Sequence, residues 1–145
     1  MNYFKQGRGF TLIELLLVLA LIGVLATIVL ALSGGARNKG KDAAIKSEML
    51  SLRNQAELYY NDNSNSYNNL FTGNNTWASA NTRMQELLAA INNKTTVHTA
   101  GSATNAWAAQ AQLTYNATQY LCVHSLDNRA IIGTTAMAAG ATVCP

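Results

Sequence analysis

The sequence predicts an α+β fold in which a long N-terminal helix, half membrane-spanning and half amphipathic, packs on a small antiparallel β-sheet. Three observations carry that prediction. Leu15 to Leu32 is an uninterrupted run of 18 residues without a charge. Beyond it, Ile45, Met49, Leu52, Ala56 and Tyr59 recur at alternating spacings of four and three, the signature of one helix face. From Trp107 onward the period drops to two, as in half-buried strands.

An apolar run of 18 residues is long enough to be read as a membrane-spanning helix. Thirteen Leu, Ile and Val side chains in it outweigh the one carboxylate at its edge, Glu14, on insertion scales. An acid in that place is costly unless partnered, so Glu14 is a candidate functional residue. Ahead of the run lies a short basic segment, Met1 to Gly9, with Lys5 and Arg8. The cores of ordinary secretory signals run about 7–15 residues, shorter than this one. Ala31-Leu32-Ser33 nevertheless has the form of a weak signal-peptidase site, which keeps a soluble, secreted alternative open. Within the run Ala20, Gly23, Thr27 and Ala31 fall three, four and four residues apart. They make one stripe of small residues, the device by which membrane helices approach closely.

Gly34-Gly35 is expected to weaken the helix at the water interface, since glycine costs about 1 kcal/mol relative to alanine. Helix then resumes over the amphipathic stripe, with Asp42/Lys46 and Arg53/Glu57 as candidate i,i+4 ion pairs. Asn61 to Thr76 is Asn-, Ser- and Gly-rich and reads as a loop. A short helix is expected from Trp77 to Asn92, with Met84, Leu87, Leu88 and Ile91 on its apolar side. Three strands follow: one from Trp107 through Ala109, Ala111, Leu113 and Tyr115, then Gln119–Ser125 and Arg129–Thr134 about the turn Leu126-Asp127-Asn128. They suggest a three-stranded meander over the amphipathic helix. The domain boundaries implied are 1–9 (leader), 10–33 (membrane helix), 34–60 (amphipathic half) and 61–145 (head).

The charge balance excludes little but argues against a nucleic-acid partner. The formal net charge is +3, and without Lys5 and Arg8 eight basic residues face seven acidic ones. Orientation is ambiguous. Arg37, Lys39, Lys41 and Lys46 follow the helix, and a plain positive-inside count would leave the C-terminal part in the cytoplasm. The two cysteines, Cys122 and Cys144, argue the other way, because an even count behind a membrane-targeting N-terminus favours a disulfide in an oxidising compartment. Such a bridge would close a loop of about 23 residues, worth roughly 3 kcal/mol. A zinc site built from Cys122, His124, Cys144 and His98 is the alternative, although its spacing fits no common pattern. There is no nucleophile elbow, phosphate loop or paired-carboxylate motif, so no enzyme and no cofactor is expected; His98 and His124 read as ordinary strand residues. Three sequons, at Asn74, Asn93 and Asn116, permit glycosylation.

Gly9-Phe10-Thr11-Leu12-Ile13-Glu14-Leu15 resembles the class III signal of type IV pilins and pseudopilins: a glycine, an aromatic first residue, an acid five residues on, then the apolar helix. The resemblance is close over residues 1–32 and is one of pattern beyond. It implies that a prepilin peptidase cuts between Gly9 and Phe10, that Phe10 is N-methylated, and that Glu14 pairs with the N-terminus of a neighbouring subunit during assembly. It also implies a helical homo-oligomer served by an assembly ATPase and an inner-membrane platform, with minor pilins as further partners. The chain would sit in the cytoplasmic membrane first, then in a surface filament for adhesion, twitching motility or DNA uptake, or in a periplasmic pseudopilus of type II secretion or competence. In this resemblance the cysteine pair corresponds to the one bounding the pilin D-region. The chain departs from the pattern in three ways: its only proline is Pro145, an acid common shortly after the first cysteine is replaced by His124, and no acidic cluster resembles the calcium site of major secretion pseudopilins. The alternative from another class is a monomeric, singly anchored extracytoplasmic binding domain. Such an anchor has no use for Glu14.

Overall fold

The computed structural model describes residues 9–72, 77–127 and 129–145. Most of the leader, the sequon at Asn74 and the last turn residue, Asn128, lie outside the described residues. Helix α1 (Leu12–Asp62) is followed by α2 (Thr82–Asn92) and four strands, β1 (His98–Ser102), β2 (Trp107–Gln112), β3 (Tyr120–His124) and β4 (Ile131–Gly133). By contact density the chain divides after Arg37.

The segment through Arg37 is helical from Leu12, and its apolar side chains, among them Leu16, Leu19, Ile22 and Leu30, are exposed. This helix is long and apolar enough to cross a membrane. The expected weakening at Gly34-Gly35 does not interrupt it: α1 is a single 51-residue helix. Two glycines forfeit about 2 kcal/mol of propensity, whereas ending and restarting a helix would incur a second nucleation.

The unit from Asn38 to Pro145 has its own core. Ile45, Met49, Leu52 and Ala56 of α1 are wholly buried against Met84, Leu88 and Ile91 of α2 and against Trp107, Ala109, Ala111, Leu121 and Val123 of the sheet. Trp107 carries the rings of Tyr67 and Phe71 against its own, at 6.4 and 6.1 Å between centroids. The sheet is a four-stranded antiparallel meander in the order β1-β2-β3-β4, one strand more than the sequence suggested. The additional strand β1 reads His-Thr-Ala-Gly-Ser and has no hydrophobic alternation to announce it.

Other boundaries shift for identifiable reasons. Helix α2 starts at Thr82 instead of Trp77 because Asn81 takes the N-cap, its side chain accepting from Met84 N at 3.0 Å. Trp77 instead donates its indole N–H to the Leu88 carbonyl at 2.8 Å. Strand β2 stops at Gln112, because the amides of Thr114 and Tyr115 turn to the Asp42 carboxylate (2.6 and 3.1 Å). This also corrects the expected Asp42/Lys46 pair: Asp42 anchors the β2–β3 loop to α1, and the Thr114 hydroxyl adds a third bond at 2.7 Å. The turns after α1 use Ser64, Asn65 and Asn69 at φ of 55, 58 and 61°. Asparagine tolerates that left-handed region better than most residues, which accounts for the composition of the loop.

Candidate functional site

The N-terminal segment places its polar groups within one turn. Phe10 is 82% exposed. Thr11 precedes the helix, and its N–H and hydroxyl both donate to Glu14 Oε2, at 2.9 and 2.8 Å. Glu14 N–H returns a bond to Thr11 Oγ1 at 3.3 Å. This reciprocal arrangement is a capping box, which satisfies amides that the first helical turn leaves without partners. Its signature, Thr-x-x-Glu, stands in the sequence. The sequence reading weighed only the charge of Glu14, and so missed the cap.

Along the same helix Ala20, Gly23, Thr27 and Ala31 are exposed, and nothing lies within 4 Å of a Cβ built on Gly23. The Thr27 hydroxyl donates to Val24 O at 2.7 Å, so it carries no unmet donor into an apolar surrounding. The stripe therefore combines small size with satisfied polarity, as close helix approach requires.

In the second unit the chemistry is structural. Cys122 and Cys144 are joined in a disulfide with a Cα–Cα distance of 5.9 Å. The bridge removes both thiolates from the zinc alternative. His98 is occupied elsewhere, stacked on Trp77 at 4.6 Å between centroids and hydrogen-bonded through Nε2 to Asn92 Oδ1. His124 is buried, and its Nδ1 accepts from Leu126 N–H at 3.3 Å. No group of three His, Cys, Asp or Glu side chains suited to a metal forms among the described residues.

The disulfide belongs to a larger attachment that sequence reasoning did not find. The sheet face turned away from α1 carries Ala108, Gln110, Cys122 and His124, with Gln110 directly opposite Cys122 in the ladder. The C-terminal segment lies across this face. Gln110 Nε2 donates to Thr135 O at 3.0 Å and its Oε1 accepts from Met137 N–H at 2.6 Å. Met137 and Ala141 pack on Ala108 and the disulfide. Gly101 completes the fit: a Cβ there would stand 2.5 Å from the Ala141 carbonyl oxygen. A glutamine set between alanines in β2 was the signal available.

A long N-terminal helix led by this segment, its C-terminal half packed on a small antiparallel sheet, resembles the arrangement of type IV pilins and pseudopilins. Residues 5–30 match the family described as the prokaryotic N-terminal methylation motif. The chain is 35% identical over 60 residues to the type II secretion system core protein G of Dickeya chrysanthemi, covering 41% of this chain and 39% of that protein. It is 38% identical over 63 residues to the protein of the same name from Escherichia coli K12, covering 43% of each. The Klebsiella pneumoniae protein of that name is 35% identical over 60 residues, covering 41% of this chain and 43% of its own length. The match thus spans about two fifths of these relatives. No solved structure matches the chain.

Proposed function

We propose that the chain is a structural subunit of a type IV pilin-like filament, assembled through its N-terminal helix. The observation that carries this reading is the N-terminal segment itself: Gly9-Phe10, a capped Glu14, and an exposed apolar helix with a small-residue stripe, ahead of a separately packed head. In this reading a prepilin peptidase removes residues 1–9 and frees the amine of Phe10, which is then methylated. Residues 10–33 hold the subunit in the cytoplasmic membrane and later form the filament core. Residues 34–60 are the amphipathic half of the helix, and 61–145 form the head on the oxidising side, where the Cys122–Cys144 bridge persists. Glu14 pairs with the amine of an adjacent, axially shifted copy, since an unpartnered charge in apolar surroundings costs several kcal/mol. Contacts of that kind repeat without closing and so generate a filament. The role is architectural, not catalytic. An assembly ATPase and a membrane platform would drive it.

Two members of the class fit: a pilus subunit serving adhesion, twitching or DNA uptake, and a secretion pseudopilin. The names of the relatives favour the second. The mass and N-terminal sequence of the mature chain test the shared reading. A start at methylated Phe10 is expected, and a start near Ser33 would overturn it. Antibody labelling of intact cells then separates the two, with long labelled surface fibres expected for a pilus and lost protein export on deletion expected for a pseudopilin.

A further inference from the structure

In the proposed orientation a group of cations lies directly after the apolar run, on the side of the membrane where topology rules disfavour them. Lys39, Lys41 and Lys46 are exposed on α1. Lys39 and Lys46, seven residues apart, share one face of the helix two turns from each other. None of the three is in an ion pair among the described residues. The one acid within this stretch, Asp42, is already engaged by Thr114 and Tyr115. The same loop presents Tyr115, 54% exposed, with Lys39 Nζ at 4.8 Å from its ring centroid. Exposed lysines beside an amphipathic aromatic are the residue types that anchor proteins at the headgroup layer.

We propose that Lys39, Lys41, Lys46 and Tyr115 form a binding surface for anionic phospholipid headgroups of the leaflet that the head emerges from. The inference rests on Leu15–Leu32 being a membrane span. Given that span, Lys39 follows Leu32 by seven residues, a tether of at most about 25 Å in any chain conformation. Tethering converts weak individual contacts with lipid phosphate into sustained occupancy. The excess of three lysines over the one carboxylate of Asp42 supplies the attraction, which salt screens. A free polyanion has the charge but not the tether. Bilayer lipid is therefore the occupant the arrangement favours.

The test uses the full chain in nanodiscs of equimolar phosphatidylglycerol and phosphatidylcholine, with the lipids retained by the protein after detergent extraction counted by native mass spectrometry. Lys5 and Arg8 are common to every sample and cancel in the comparison. The wild type is expected to retain phosphatidylglycerol over phosphatidylcholine about fivefold, falling toward parity in high salt, with no competition from millimolar inorganic phosphate. The variant K39Q/K41Q/K46Q is expected to lose most of that preference at low salt. Equal retention of both lipids by the wild type, or an undiminished preference in the variant, overturns the proposal. Lysine-dependent binding of a single-stranded oligonucleotide by the chain in phosphatidylcholine discs, matching its binding of phosphatidylglycerol, overturns the choice of lipid. Failure of the wild type to elute with the discs overturns the span itself, and the surface with it.

Discussion

Replacing Gln110 with leucine tests how the C-terminal segment is held. Leucine keeps roughly the volume of the glutamine side chain, but it leaves the Thr135 carbonyl and the Met137 amide without the bonds they now make at 3.0 and 2.6 Å. The buried Met137 amide left unsatisfied costs about 1–3 kcal/mol and the part-buried Thr135 carbonyl about 1 kcal/mol, so Q110L should cost about 2–4 kcal/mol while the segment stays docked. The disulfide, with a sequence separation of 22, holds the same segment and is worth about 3 kcal/mol on the chain-entropy estimate. Because Gln110 and Cys122 are ladder partners acting on one piece of chain, their effects should not add. Once the cysteines are replaced by alanine, the segment is already partly detached and Q110L has less to disrupt. The expected cost there is under about 1 kcal/mol, a coupling of at least about 1 kcal/mol. Urea titration of the full chain in a nonionic detergent, followed by tryptophan fluorescence, reads the stability of the unit containing buried Trp107. Equal costs of Q110L with and without the cysteines, or no cost in either background, would refute the shared attachment.

Glu14→Gln keeps an oxygen for the Thr11 cap but removes the charge, whereas Glu14→Leu removes both. Both variants should insert in the membrane and both should assemble poorly in a filament-yield assay; normal yield from the glutamine variant would assign the residue to capping alone. Gly101→Ala forces a Cβ against the backbone of Gly140 and Ala141, and should destabilise by about 1–3 kcal/mol in the same urea titration. Tyr67 gives a pH dependence. Burial, then its hydrogen bond to Glu57 at 3.0 Å, pushes the phenol up to about 12, while an unfolded tyrosine titrates near 10. The unfolded chain therefore loses its proton first. The contribution of Tyr67 is intact below about pH 10 and drains away as pH rises toward 12. Tyr67→Phe should flatten that part of an alkaline stability profile, and an unchanged profile would show that other groups govern it.

The parts of the fold legible in the sequence are those where burial on one face imposes a period. Ile45, Met49, Leu52 and Ala56 announce α1 against the sheet, and the alternation from Trp107 to Ala111 announces β2. Where both faces are covered, the period fails. Strand β1 is small and polar in sequence because Gly101 must pass under the C-terminal segment, and no pattern of apolar residues marks such a contact. Gln110 occupied the face that alternation assigns to solvent, yet that face is roofed by a segment 25–27 residues further on. Asp42 illustrates the same limit. The i,i+4 rule sees only the helix, and the stronger claim on this carboxylate came from amides 72 and 73 residues away. At the N-terminus the motif was legible, but its local role in capping was hidden behind its charge.

The cap and the proposed intersubunit pairing are compatible, and their combination has a physical consequence. A carboxylate offers about four acceptor positions on two oxygens. The bonds from Thr11 both fall on Oε2, and Oε1 accepts none among the described residues. The capping box therefore fixes the χ angles of Glu14 while leaving one oxygen available. A free Glu14 side chain would lose up to about 1.5–2 kcal/mol of rotamer entropy on meeting a partner. Here much of that ordering is already made within the subunit, so an incoming amine meets a preset acceptor. The cap also places the carboxylate beside the positive end of the helix dipole, which moderates its charge before any partner arrives. Under the proposed pairing, Thr11 takes a role in assembly that its own chemistry would not suggest. Thr11→Val removes the hydroxyl bond and leaves the backbone bond, so it should slow filament growth without preventing it. Growth kinetics followed by light scattering on processed subunits would decide this. A rate equal to wild type means the preset geometry is irrelevant to pairing, whereas complete loss of filaments means that Thr11, and not Glu14 alone, makes the contact.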